Sequence, residues 1–557
     1  MEMKVSALCI IFLLTFLFSE SVASFPSSSL NTHSICKHTP HADFCKYLFS
    51  SNKLFNTLDY GRVSIHHSLL NARTFLDSIN QHFLAHPSNS TSKQALEDCR
   101  FLADQNVDFL SQISDRINSS TDSLDSVEAD DLHALLSAAL TNVETCLEAL
   151  ESTPSASRIK DRFLQSNGTK SFSVSLAVSK HWVHSSTNPE RNHVFHKLID
   201  DTYTPLSVFM SSNDKQTIYE YATGKRDVKT LTNGKITVKQ VVMVRHNGDG
   251  QFKTINDAIT AMPNVTGDSN EYYVIYIPTG VYEEYISIPK YKQNLVLVGG
   301  LSTNPTIISG NRSVGDGSTT FSSATLAVFG KKFIAVDITF RNTAGPSKYQ
   351  AVAVLNGADQ SIFNRCTFEG YRNTLYVHSF RQFYVNCHIL GTVDFIFGNA
   401  AAVIQESYIH ARLPLPTQDD VITAQGRTDP SQNTGISIIS SFIRANDDLI
   451  SNMGLTKIYL GRPWKDYSRT VYVSSSLDGL VADEGWKKRD GDFGLSTVYF
   501  GEYDNYGLGR DTGDRVDWPG FHNMTKTEAL NFTVARFIGG HKWLPATGVH
   551  YFGGLRD

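Results

Sequence analysis

Three things are scarce in this 557-residue chain, and each scarcity removes a class of function. Positive charge is not in excess: 50 Lys and Arg stand against 55 Asp and Glu, for a formal charge of −5. The chain therefore lacks the basic field of a nucleic-acid binder and any uniform attraction for a polyanion, so an acidic ligand must be met locally. Long apolar runs are missing. The stretch from Ala7 to Phe18 falls well short of the roughly 20 residues that a membrane span needs, and no later segment supplies one. Cysteine is sparse, seven residues in all, and no two have the CxxC spacing of a zinc site.

What is present begins with a leader. Lys4 precedes the apolar run, and the small-residue stretch Ser21-Val-Ala-Ser24 follows it, the pattern of a secretory signal peptide over residues 1–24. Sequons at Asn89, Asn118, Asn167, Asn264, Asn311, Asn523 and Asn531 fit an exported glycoprotein. Removing Cys9 with the leader leaves six cysteines, Cys36, Cys45, Cys99, Cys146, Cys366 and Cys387. An even set in an oxidising compartment favours bridges over buried thiols.

From about Ser34 to Val183 the apolar residues follow a helical period. Leu96, Cys99, Leu102, Val107, Leu110, Ile113 and Ile117 recur in steps of three to five. Leu132, Leu135, Leu136, Ala139, Leu140, Val143 and Leu147 mark a second helix within Val127 to Leu150. An all-α four-helix bundle over 25–183 is the simplest account. A Cys99–Cys146 bridge would pin two of its helices, and Cys36 with Cys45 would staple the leading segment. Residues 184–239 lose the period and read as a Ser-, Asn-, Thr- and Lys-rich linker. Its dibasic pair, Lys225-Arg226, is a candidate processing site.

Residues 240–557 alternate in short runs punctuated by Gly, Asn and Pro: Tyr273 to Ile277, Tyr285 to Ile288, Leu295 to Val298. These are strands. The phrase Cys366-Thr-Phe-Glu-Gly370 returns 21 residues later as Cys387-His-Ile-Leu-Gly391, and in weaker form as Ser407 to Ala411 and Ser441 to Ala445. A β-rich repeat of this length predicts stacked coils, hence an all-β, right-handed parallel β-helix with a long groove along one face, and strand-poor intervals such as Arg412 to Gly435 are expected to loop out. Equivalent positions lie about 4.8 Å apart. Cys366 and Cys387 should then be neighbours within disulfide reach. Seven residues beyond each Cys stand Asn373 and Asp394, which should lie side by side.

Gly280-Val-Tyr-Glu-Glu284, Gln350-Ala-Val-Ala353, Gly391-Thr-Val-Asp-Phe-Ile-Phe-Gly-Asn399, Ile422-Thr-Ala-Gln-Gly-Arg427, Leu460-Gly-Arg-Pro-Trp464 and Trp543-Leu-Pro-Ala-Thr-Gly548 stand in order. This body resembles the pectinesterases. The helical region, with Cys36 to Cys45 near its start and Leu136-Ser-Ala-Ala-Leu-Thr-Asn142 before Cys146, resembles the pectin methylesterase inhibitor domain that commonly precedes them in plants. The resemblance implies hydrolysis of methyl esters of homogalacturonan in the cell wall, without metal or cofactor. Pectin is then the partner, with an inhibitor–esterase contact within or between chains, and neither nucleic acid nor membrane. Asp394 matches the nucleophile, Gln350 one oxyanion donor and Arg462 the Arg that orients the nucleophile. Trp464 and Trp518 match aromatic residues lining the sugar groove.

Two positions depart from the pattern. Where the family has Gly-Tyr-Gln-Asp-Thr-Leu-Tyr, this chain has Gly370-Tyr-Arg-Asn-Thr-Leu-Tyr376. Arg372 thus replaces a second oxyanion Gln, and Asn373 replaces the Asp that acts as general acid and then base. Asn has nearly the shape of Asp but cannot cycle a proton, and a pull of Arg372 on Asp394 would weaken the nucleophile. Strongly reduced esterase activity with a persisting polymer groove is expected. The alternative functions are a silent pectin binder or an inhibitor of active esterases. Ser407 and Ser441 also stand where the family usually has Cys, and Arg489 stands where it has a second Trp after Gly485-Trp486.

Overall fold

The computed structural model describes residues 32–50, 56–85, 91–121, 123–151, 156–182, 212–225, 237–245, 250–265, 267, 269–300, 304–452 and 456–556. The leader pattern, the Asn89 sequon and Arg226 of the dibasic pair lie outside them. Among the described residues no helix is long and apolar enough to cross a membrane.

Helices α1 (Thr32–Cys36) and α2 (Ala42–Phe49) form a leading hairpin closed by Cys36–Cys45, with a Cα separation of 5.5 Å. Then come α3 (Thr57–Ala85), α4 (Thr91–Ser119), α5 (Ser126–Glu151), α6 (Ser157–Gln165) and α7 (Gly168–Ser179). Helix α3 packs on α4, α4 on α5, α5 on α7 and α7 back on α3, which closes a four-helix bundle. The periodic residues explain it: Leu96, Leu102, Leu110, Ile113 and Ile117 of α4 and Leu132, Leu136, Leu140, Val143 and Leu147 of α5 are buried, and Cys99–Cys146 joins the two helices. Each buried Leu or Ile contributes roughly 1.5–3 kcal/mol.

The segment read as linker contains structure. Helix α8 (Ser212–Ala222) buries Ile218 and Ala222, and Tyr219 meets Tyr276 at a ring separation of 5.7 Å. This apolar stripe covers the first coil, whose strand Thr237–Met243 starts ahead of residue 240.

Beyond it the chain winds as a parallel β-helix of three sheets, with eleven, seven and seven strands among the described residues. Asp337, Arg365, Asn386, Glu406, Ser440, Ser474 and Asp504 turn the same corner of successive coils, each with φ between 46° and 56°. The N–H groups of the first six still donate to the next coil, as Arg365 does to the Val385 carbonyl (3.0 Å), so bonding between coils survives the bend. Inside, Phe333, Phe340, Phe363, Phe368 and Tyr384 stack through the core.

Two expectations are corrected. Arg412 to Gly435 is not all loop: Asp420–Gln425 is a strand, paired with Val393–Gly398 and Ile458–Pro463, because Val421 to Ala424 supply a buried run. Nor do Cys366 and Cys387 bond. They occupy adjacent in-register positions but are free and buried. Side chains of parallel in-register strands run side by side, so their Cβ atoms stay near the strand spacing of about 4.8 Å, beyond the roughly 3.5–4.5 Å of a disulfide. Each thiol donates to a carbonyl instead, Cys366 Sγ to Asn364 O (3.6 Å) and Cys387 Sγ to Phe363 O (3.3 Å). Ser407 and Ser441 continue the column as a hydroxyl ladder: Ser407 Oγ accepts from Cys387 N (3.0 Å), and Ser441 Oγ from Ser407 N (3.1 Å).

Candidate active site

One sheet carries the site. It contains, in spatial order, the strands Val354–Asn356, Leu375–Val377, Val393–Gly398, Asp420–Gln425 and Ile458–Pro463. Leu375 lies opposite Ile396 and Tyr376 opposite Phe397, so the 21-residue offset puts Asn373 level with Asp394. Both residues adopt the left-handed backbone, φ 65° and 52°, which Asn and Asp tolerate better than other side-chain-bearing residues. Such conformations persist where surrounding structure over-determines them, often at functional sites.

Asp394 is 9% exposed and held by Arg462 in a bidentate pair: Nε donates to Oδ1 (2.7 Å) and Nη2 to Oδ2 (2.5 Å). Burial works against the Arg462 charge, but the Asp394 carboxylate more than offsets it and raises the pKa. Asn373, 6% exposed, donates from Nδ2 to the main-chain carbonyl of Asp394 (3.3 Å).

Gln350 and Arg372 line the same cavity, of about 470 Å³. Their coils are tied by Ala351 N donating to Arg372 O (3.2 Å). The expected pull of Arg372 on Asp394 is not made. Among the described residues no carboxylate lies within 4.0 Å of its guanidinium, and its Nε is out of solvent with no hydrogen-bond partner. Among the described residues Arg462 alone pairs with the Asp394 carboxylate.

Of the cavity's apolar floor, Trp464 was legible as a groove residue, whereas Tyr376 and Phe397 were not. Tyr376 and Phe397 stack at 4.2 Å, and Trp464 tilts against them at 6.3 and 5.7 Å. The available signal was the same offset of 21 that aligns Asn373 and Asp394. Trp518 does not join them. It is 7% exposed and packs near Phe500 (6.5 Å) in the core, as does Trp486 (4.4 Å). Arg489 reaches the cavity and donates from Nη1 to Trp464 O (2.5 Å).

The opposite wall comes from the bundle. Ala95, Asp98, Thr145 and Glu148, on α4 and α5, face the cavity. Asp98 accepts from Thr319 Oγ1, Thr145 Oγ1 meets His378 Nε2 (3.1 Å), and Glu148 pairs with Lys465. Burial, partly opposed by the Thr319 bond, raises the Asp98 carboxyl to about 7. Around the rim the charges sort by side: Asp104, Asp108, Asp130 and Asp131 of the bundle meet Lys290, Lys542 and Arg381 of the β-helix. No local motif announces these contacts, which join residues more than 180 positions apart.

Residues 241–541 match the family described as "Pectinesterase", and residues 31–178 match "Plant invertase/pectin methylesterase inhibitor". The chain belongs to the pectinesterase family. Among its relatives, probable pectinesterase/pectinesterase inhibitor 41 of Arabidopsis thaliana is 43% identical over 553 residues, 95% of each chain. Pectinesterase 2 of Citrus sinensis is 40% identical, over 97% of this chain and 98% of the other. The solved pectin methylesterase from carrot, 48% identical with a TM-score of 0.55, aligns over 59% of this chain and 100% of its own, as expected where the helical bundle is extra. Against that pectinesterase background, the cleft brings together Gln350, Arg372, Asn373, Asp394, Arg462 and Trp464, and leaves Trp518 out.

Proposed function

We propose that this pectinesterase-family chain is exported to the cell wall, where its cleft binds homogalacturonan but hydrolyses the methyl esters only slowly. Attack of Asp394 on the ester carbonyl needs donors for the oxyanion, a proton for the departing methoxide, and then a base to activate water against the covalent intermediate. Gln350 can serve the first need. The observation that carries the proposal concerns the other two: the group level with Asp394 is the Asn373 amide, which binds a main-chain carbonyl and has no proton to exchange. Losing a general acid and base costs about 10²- to 10⁴-fold in rate.

The polymer-binding half rests on the cavity, whose aromatic floor of Tyr376, Phe397 and Trp464 offers ring faces to sugar. In the uncleaved chain the bundle forms the opposite wall, so it limits access of a long polymer until it is displaced. The leader pattern and the sequons support export, and the plant relatives named as pectinesterases support pectin as the substrate class.

Parallel assays of the full chain test this. Retardation on methyl-esterified pectin is expected to persist while methanol release stays at least about 100-fold below an ordinary family member. Trp464→Ala should abolish the retardation. Methanol release within tenfold of an ordinary member would sink the proposal.

A further inference from the structure

Among the described residues, the cavity contains one charge that nothing answers. Asp394 is matched by Arg462, Glu148 by Lys465, and Arg489 has the Trp464 carbonyl and the exposed Asp490 carboxylate (3.6 Å). Asp98 has its Thr319 hydroxyl. Arg372 has neither an ion partner nor a hydrogen bond for its buried Nε, although a guanidinium carries five donors in a planar fork and an unpaired, partly buried cation is costly. An uncompensated guanidinium lining a roomy cleft is a site awaiting an anion.

Resting on the proposal that the cleft takes homogalacturonan, we infer that it selects de-esterified uronate, with the Arg372 fork receiving a free sugar carboxylate in preference to the methyl ester. The chemistry discriminates in one direction. A carboxylate presents two equivalent oxygens and a negative charge, which the fork can accept bidentately, and charge-assisted bonds of this kind are roughly twice as strong as neutral ones. A methyl ester offers one good acceptor, no charge, and a methyl group that would lie against the cation. Gln350, on the adjacent coil, adds a neutral donor that serves either form, and the Tyr376, Phe397 and Trp464 floor takes the ring. Arg489 adds a second cation to the same wall. The protein would then read the product of its family's reaction in place of the substrate.

The probes are methyl α-D-galacturonoside as the free acid and as its methyl ester. Both are single sugars small enough for a cavity of about 470 Å³ with the bundle in place, and both would be titrated into the full-length chain by calorimetry or ligand-observed NMR. Acid binding at least about tenfold tighter than ester binding is expected, weakening with added salt while ester binding does not. Arg372→Gln should remove the preference by lowering acid affinity about tenfold or more, and Arg372→Lys should retain part of it. Equal binding of acid and ester, ester preference, or an acid-to-ester ratio unchanged in Arg372→Gln overturns the inference and leaves the homogalacturonan cleft standing. Binding of neither sugar overturns both.

Discussion

Asn373 illustrates how little the scaffold notices a change that chemistry cannot ignore. At φ 65° an Asn is at least as comfortable as an Asp, and its amide gains a carbonyl that a carboxylate would repel. Asn373→Asp should therefore fold with stability changed by no more than about 1–2 kcal/mol, read from its denaturant midpoint; global unfolding would show that the amide is structurally required. Asp420 is the reverse case, a residue the structure tolerates at a cost. It is fully buried, neither carboxylate oxygen has a hydrogen-bond partner among the described residues, and burial, followed by Asp448 and Asp419, raises it to about 9. The folded state holds this proton long after the unfolded chain, with its ordinary value of 3.8, has released it. Stability from this group is thus complete at acid pH and is lost as pH rises from about 4 to about 9. Asp420→Asn should raise the melting temperature more at pH 8 than at pH 5, by differential scanning calorimetry; an equal shift at both would contradict the assignment.

At the scale of the coil, the 21-residue repeat was legible because parallel coils stack in register, and one offset places Cys387 over Cys366, Asp394 over Asn373 and Phe397 over Tyr376. The same register holds the two Cβ atoms near the strand spacing, beyond disulfide reach, which is why the inferred bridge fails while the adjacency holds. Both thiols are fully buried, and burial pushes the Cys387 thiol up to about 12. Native protein should be inert to a thiol reagent, and denatured, unreduced protein should titrate two thiols in the 366 and 387 peptides; none would restore the bridge. The strand Asp420–Gln425 was hidden because a Pro- and Asp-bearing approach, Leu413-Pro-Leu-Pro-Thr-Gln-Asp-Asp420, reads as loop up to its first residue. Gly398 is constrained by its backbone and its neighbouring coil. Its φ of 132° and the Val377 carbonyl, 2.0 Å from where a Cβ would sit, leave room only for glycine. Gly398→Ala should lower stability by about 2 kcal/mol or more in a urea titration; an unchanged midpoint would mean that the neighbouring coil yields freely.

For the whole molecule, the two folds were legible separately, from a helical period and a β repeat, but their union was not, since it depends on side chains far apart in sequence. The bundle meets the β-helix with acidic groups against basic ones, and such contacts weaken with salt. Small-angle scattering should register an increase in radius of gyration for Lys290→Glu/Lys542→Glu, most clearly at low salt, where the new like-charge pairs are least screened; an unchanged value would place the hold in the apolar contacts of Phe101 with Phe329 and Phe109 with Phe380. On the proposed function, whether the assembled cleft turns over pectin comes down to Arg372 and Asn373. The most direct measurement is methanol release from methyl-esterified pectin by the full-length chain and by its Arg372→Gln/Asn373→Asp double variant, side by side, so that the bundle is common to both. The expected result is a rate at least about 100-fold higher in the double variant. A double variant no faster than the parent, or a parent already turning over like an ordinary pectinesterase, would contradict it.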